Sequence, residues 1–217
     1  MVDKMNKGFF ITFEGPEGSG KSTHSARLYK ELLADGYDVV HTAEPGGTEL
    51  GVGIRDLLLK KDSIRLDDHA ELFLFEADRA QHVTEFIKPS LKKKKVVLCD
   101  RFNTATFAYQ GYGLGICVDL IKSVDSIATD GLVPDLTILM DIDVDTGMSR
   151  AKARGSADRM EKREREFHEN VRQGYLDIAR QCPERIKVIN TDGDIDDVYR
   201  RVKKEVYDLI GKCQRAG

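Results

Sequence analysis

Residues Gly15-Pro16-Glu17-Gly18-Ser19-Gly20-Lys21-Ser22 fit the pattern G-x-x-x-x-G-K-[ST]. In such a loop the glycines let successive backbone N–H groups turn inward. Those donors, with the positive end of a following helix, cradle a nucleotide's phosphates. Lys21 then reaches the transferred phosphoryl group, and the Ser22 hydroxyl is placed to ligate Mg2+. Val97-Leu98-Cys99-Asp100 is an apolar run ending in an acid, where a Walker B carboxylate holds Mg2+ directly or through water. Arg101 follows at once and puts a fixed cation beside the phosphates. Phosphoryl transfer needs positioning and charge neutralisation more than a strong base, so this pair favours a small kinase. No N-K-x-D tetrapeptide for reading guanine is present, and no DxxG switch follows Asp100.

A third group of chemically able residues lies at 150–165, where Arg150, Lys152, Arg154, Arg159, Lys162, Arg163 and Arg165 surround Gly155 and Ser156. The small pair breaks the helix there. Arg150 and Arg154, four apart, present their guanidinium groups on one helix face and read as part of a mobile basic lid over the transferring group. Asp158, Glu161, Glu164 and Glu166 are close enough to pair with these cations, so a solvated charged helix is the other reading.

The elements that must position these groups are short and regular. Phe9–Glu14 is an apolar, β-branched and aromatic run that stops at a glycine, and Lys21–Asp35 has helical spacing that stops at Gly36. Further strands are expected at 38–42, 96–100, 136–141 and 186–190, separated by helical segments. Runs such as VVLCD and LTILMDI are too uniformly apolar for a half-exposed strand and suit a parallel sheet covered on both faces. The fold class is therefore α/β, with three layers and five strands in the manner of P-loop nucleotide-binding proteins. Between the second and third strands lies a long insert, residues 43–95. It holds a helix at 69–88, with Asp68 and Glu71 as a capping box and Pro89 as its end. Residues 194–210 read as an amphipathic helix.

With 217 residues, 41% hydrophobic and 33% charged, the composition suits a single globular domain spanning 1–217. The net charge of -3, from 34 basic against 37 acidic residues, argues against a partner such as a nucleic-acid polymer. No apolar run has the length of a signal or membrane segment, so no membrane association is expected. Cys99, Cys117, Cys182 and Cys213 form no CxxC pair and read as free thiols of a cytoplasmic protein. The five histidines show no metal-binding spacing.

GPEGSGKST (15–23), EPGGT (44–48), LFLFEADR (72–79), DRFNTATFAYQG (100–111) and ARG..DR (153–159) together resemble the bacterial thymidylate kinases in order and spacing. The resemblance runs from Phe9 to about Tyr175. It implies transfer of the γ-phosphoryl of ATP to dTMP with Mg2+, by a homodimer. Carried over residue by residue, it implies that Phe75 stacks on thymine while Arg79, one helical turn on, donates to the O4 acceptor. Thr106 and Gln110 would contact the pyrimidine edge, and Tyr109 would pack against the sugar where a 2′-OH has no room. Arg55 and Arg101 would hold the acceptor phosphate, and Glu44 would lie near that phosphate and the metal. Glu17 would turn away from the phosphates toward the 3′-OH. With Gly at position 18 rather than Arg, the resemblance gives Arg154 the catalytic role. Ala43 and Ala105 depart from the family's usual Arg and Ser. Gly53 replaces a frequent acid and, with Gly51, predicts a weakened helix start and a mobile loop. Another nucleoside or nucleotide kinase of the same fold, or an ATP-holding regulator without transfer, shares the phosphate loop but does not require Phe75 with Arg79.

Overall fold

The computed structural model describes residues 7–60, 64–153, 155 and 159–215. β1 (Phe9–Glu14) lies at the centre of a five-stranded sheet with β2 (Val39–Ala43), β3 (Val96–Asp100), β4 (Leu136–Asp141) and β5 (Ile186–Asn190). The strand order is β2-β3-β1-β4-β5, and every pairing is parallel. All six residues of β1 are buried, because helices cover both faces of the sheet. Alternation assigns the faces. Phe9, Ile11 and Phe13 share one core with Leu28 and Leu32 of α1 (Lys21–Ala34) and with the apolar stripe of the last helix, Val198 to Ile210. Phe10 and Val97 point to the other face and meet Val83, Ile87 and Phe102. The fold is thus a three-layer α/β sandwich, as the uniformly apolar strands predict. β2 begins one residue later than expected, at Val39.

Among the described residues, the insert between β2 and β3 is helical at 49–60 and 68–92. α2 (Glu49–Arg55) runs on into a π-type turn, Asp56–Lys60. α3 (Asp68–His82) passes through a second such turn, Val83–Ile87, into α4 (Lys88–Lys92). Pro89 therefore does not end the helix as expected, because the wider turn just before it relieves the clash of its ring with the preceding turn. The expected capping box is also absent. Asp67, not Asp68, caps α3 by accepting from the His69 N–H at 3.0 Å, and the Glu71 side chain turns inward. After β3 come α5 (Asn103–Thr106), a π-type turn at Phe107–Gly113, and α6 (Val118–Thr129). α7 (Val144–Lys152) precedes the basic segment, α8 (Arg165–Gln181) follows it, and α9 (Ile195–Arg215) closes the chain.

The mobile loop expected at Gly51 and Gly53 is instead the ordered helix α2. Thr48 caps it by accepting from the Gly51 N–H at 3.0 Å. Gly51 serves a close approach: a Cβ there would sit 2.3 Å from Oδ1 of Asp78, an atom already accepting from the Gly46 N–H. At Gly53 a Cβ would meet nothing within 4 Å. The two glycines should respond oppositely to alanine. In urea unfolding, Gly51→Ala should destabilise the protein by about 1–3 kcal/mol. Gly53→Ala should stabilise it by up to about 1 kcal/mol. A stabilising Gly51→Ala would contradict the packing.

Candidate active site

The loops after β1 and β3 meet at the carboxyl edge of the sheet, where parallel α/β sheets bind ligands. Gly20 takes a left-handed backbone (φ 87°) at the start of α1 and leaves the helix without a side-chain cap, so its first N–H groups are available to an anion. Gly18 is left-handed as well (φ 70°), and a Cβ there would lie 2.0 Å from the carbonyl oxygen of Gly147 in α7. A side chain at position 18 would collide with α7. Lys21 lies across the loop, its Nζ donating to the carbonyls of Gly15 (2.8 Å) and Pro16 (2.7 Å) and to Ser19 Oγ (3.3 Å). Burial pulls its ammonium down to about 7, and the nearby Arg101 charge adds to the fall.

Arg101 leaves β3 with φ 70°, an uncommon conformation for a residue with a side chain, pinned by its N–H donating to Phe13 O at 2.9 Å. Its guanidinium splits two ways. Nη2 donates to Glu17 Oε1 and, at 3.2 Å, to the Tyr109 hydroxyl, which itself donates to Glu17 at 2.8 Å. Nη1 donates to the Tyr175 hydroxyl at 3.4 Å, and that hydroxyl donates to Glu14 Oε2 at 3.1 Å. Glu17 therefore faces Arg101 and Tyr109 rather than the interior of the phosphate loop. Glu14, fully buried, also accepts from the Phe102 N–H at 2.8 Å. Burial pushes its carboxyl up to about 7, with Arg101 opposing.

Beneath the loop, Asp100 lies near the hydroxyls of Ser22 and Ser25, and His41 Nε2 is 3.4 Å from its Oδ1. Burial alone would raise its pKa, but the polar groups around it, His41 first, outweigh that and hold the carboxylate below its ordinary value. An ionised carboxylate beside a hydroxyl is a hard oxygen pair of the kind Mg2+ takes. The structure thus joins Ser22 and Asp100 as expected. It also adds His41, whose Nε2 lies 3.0 Å from Ser25 Oγ.

At the far end of the cleft Arg79 is 2% exposed. Nε donates to Glu44 (3.0 Å) and Nη1 to Glu76 (2.6 Å), while Asp125 lies 3.7 Å away. Its guanidinium also rests against the Phe102 ring, 5.3 Å from the centroid. Among the described residues Nη2 has no hydrogen-bond partner. Glu44 is shared with His82, whose Nδ1 lies 2.9 Å from Oε1. Burial pushes Glu76 up to about 6, against the pull of Arg79. Glu44, expected near the acceptor phosphate and the metal, is paired here with Arg79 and His82; Glu76 escaped the sequence reading although it stands inside the LFLFEADR motif. Asp125 and the Glu14–Tyr175 pair had no signal there, since both act across long sequence separations.

One cleft of about 370 Å3 contains most of the expected residues. Phe75, Arg79, Thr106 and Gln110 line it together with Tyr109, Arg101, Arg55, Glu44, Glu17 and Lys21. Arg55, at the end of α2, donates from Nη1 to Pro45 O at 2.7 Å. A second cavity of about 270 Å3 opens on the other side of the loop and is lined by Arg150, Thr191 and Gly193; Gly18, Gly20 and Thr23 line both. Arg150 donates to Thr191 O at 3.3 Å. It therefore belongs to the second cavity, and α7 ends at Lys152. Arg154 lies outside the described residues. Of the neighbouring cations, Arg165 pairs with Asp145 and Arg163 with Glu71.

Two cavities that share a phosphate loop, one of them lined by Lys21, Arg79 and Arg101, fit a P-loop phosphotransferase that brings a nucleotide donor to an acceptor. The thymidylate kinase family profile matches residues 13–202. A thymidylate kinase of Exiguobacterium sibiricum is 43% identical over 96% of this chain and 98% of its own. One of Halothermothrix orenii is 46% identical over 95% and 98%. The crystal structure of thymidylate kinase from Ehrlichia chaffeensis superposes with a TM-score of 0.76 at 39% identity, covering 92% of this chain and 98% of that one. The chain belongs to the thymidylate kinase family.

The buried Glu14 gives the site a pH signature. Its carboxyl titrates near 7 in the fold against 4.5 in an open chain, so its stabilising contribution is complete below 4.5 and is lost as pH rises through about 7. The stability advantage of the native protein over Glu14→Gln in urea should therefore be larger at about pH 5 than at about pH 8. An advantage that grows with pH would contradict the protonated, buried state.

Proposed function

We propose that this cleft moves the γ-phosphoryl of ATP onto the phosphate of dTMP, giving dTDP and ADP. The observation that carries the reading is the pairing, in one cleft, of a base-sized end with Phe75, Arg79, Thr106 and Gln110 and a phosphate end with Arg55, Arg101 and Lys21. ATP enters the second cavity and lays its phosphates along residues 15–22. Arg79 uses its unpartnered Nη2 to donate to thymine O4, and Phe75 stacks on the ring. Tyr109 packs against the sugar, and Arg55 with Arg101 holds the acceptor phosphate. An oxygen of that phosphate attacks the γ-phosphorus as the bond to the β-phosphate oxygen breaks. Lys21 trades its loop carbonyls for the phosphoryl group in transfer, where no strong base is needed. Ser22 and Asp100 would hold Mg2+, which supplies charge neutralisation between β- and γ-phosphates. Arg154 is assigned to the lid at about 150–165 of a single domain, closing on the transferring group.

The proposed assembly is a homodimer. α2, α3 and α6 leave large apolar side chains exposed, namely Leu50, Val52, Phe73, Leu120 and Ile127, the last at 81%. A second copy covering them would remove that apolar surface from water. No helix among the described residues is long and apolar enough to cross a membrane, and a cytoplasmic location fits the free thiols Cys99, Cys117 and Cys182.

The test is ADP release from Mg-ATP with dTMP, dUMP, CMP, GMP and AMP offered separately. dTMP should be the preferred acceptor. Equal or better turnover of CMP, GMP or AMP would discard the thymine assignments, and release that ignores the acceptor would discard transfer altogether.

A further inference from the structure

The carboxylate of Glu71 has no part in the reaction as assigned above, yet it is 1% exposed and doubly engaged. Oε1 accepts from Nε2 of Gln110 at 3.0 Å, and Oε2 accepts from Nη2 of Arg163 at 3.1 Å. A carboxylate offers only acceptors, so the Gln110 amide can satisfy it only through its NH2. Burial raises the Glu71 carboxyl's pKa, while Gln110 and Arg163 oppose that rise and favour the acceptor form. The amide, which either way round has the same shape, is thereby given one orientation. Its Oε1 has no partner among the described residues, and Gln110 is part of the cleft wall. Arg79, two turns along α3 from Glu71, lines the same cleft with its free Nη2. The cleft lining therefore includes one residue with an unpartnered donor, Arg79, and one with an unpartnered acceptor, Gln110.

We propose that Glu71 sets the choice between pyrimidines by locking the Gln110 amide with its carbonyl oxygen toward the base. Thymine and uracil carry a carbonyl at C4 beside an N–H at position 3, which matches a donor beside an acceptor. Cytosine carries an amino group beside a bare ring nitrogen, so it sets donor against donor and lone pair against lone pair. In a site withdrawn from water neither mismatch is repaired, and such sites reject the wrong partner strongly. Glu71 is a positioning residue, since it touches Gln110 and not the base. The inference rests on the reading in which the pyrimidine faces Arg79 and Gln110.

The experiment measures kcat and KM for dTMP and dCMP, with melting temperature, for the full chain and three variants. Glu71→Gln frees the amide to turn over, and the preference for dTMP over dCMP should fall by about tenfold or more, carried by KM, with KM for ATP unchanged. Combining Glu71→Gln with Gln110→Glu exchanges the two groups. The amide then at position 71 donates to a carboxylate that still shows an oxygen to the base, so the preference should return. Gln110→Leu should raise KM for dTMP and serves to test the underlying reading. If Gln110→Leu leaves that KM unchanged, the base does not face Gln110, and reading and proposal both fall. If Gln110→Leu raises it while a folded Glu71→Gln keeps the preference, only the role of Glu71 is overturned. Should Glu71→Gln not fold, the exchanged pair decides: preference kept supports the proposal, and preference lost overturns it.

Discussion

Charge withdrawn from water is the constraint on which this site depends. Lys21, Arg79 and Arg101 are brought to one cleft at the carboxyl edge of the sheet, and a buried cation without a partner is costly enough to unfold a domain of this size. Each is therefore matched within the protein: Lys21 by the carbonyls of its own loop, Arg101 by Glu17, and Arg79 by Glu44 and Glu76. Such pairs add little net stability, because the desolvation they require offsets their attraction. What they supply is aim. Arg79 is held by Nε and Nη1, which leaves one edge of a rigid fork for a ligand. Arg101 is held through Glu17 and two tyrosine hydroxyls, and its backbone is fixed in a conformation that few side chains adopt.

The topology makes this convergence possible. β1 lies between β3 and β4, so the loop after it and the turn after β3 share one edge, and the Asp100 carboxylate comes within hydrogen-bonding reach of Ser22. α7 then presses Gly147 against Gly18, so that the phosphate loop is wedged between β4's helix and its own strand. The long insert contributes Arg55, Phe75 and Arg79 to the cleft, and the segment after Arg101 contributes Thr106, Tyr109 and Gln110.

Local patterns were legible in the sequence, and partnerships were not. The bounds of β1, β3, β4 and β5 were legible to the residue; burial on both faces gives β1, β3 and β4 their composition, while β5 alternates. The loop at 15–22 was legible because its glycines stand in a fixed spacing before a helix start. Pro89 misled, since a widened turn upstream lets the helix pass through it. Asp68 and Glu71 had the spacing of a capping box, but Asp67 took the cap, and Glu71 was drawn inward by Gln110 and Arg163. Gly51 looked like a helix breaker, whereas its missing side chain is what admits Asp78. The Glu14–Tyr175 bond joins residues 161 positions apart, a distance at which no periodicity speaks.

The central claim is that carboxylates aim a buried arginine at the base, and a double-mutant cycle in dTMP binding tests it most directly. Calorimetric affinities would be measured for the native chain, Glu44→Gln, Arg79→Met and the double variant. The account predicts that Glu44→Gln weakens dTMP binding by about 1–3 kcal/mol when Arg79 is present and by almost nothing when it is replaced. An equal loss in both backgrounds would show that Glu44 acts on the ligand by another route, and the account of Arg79 would fail.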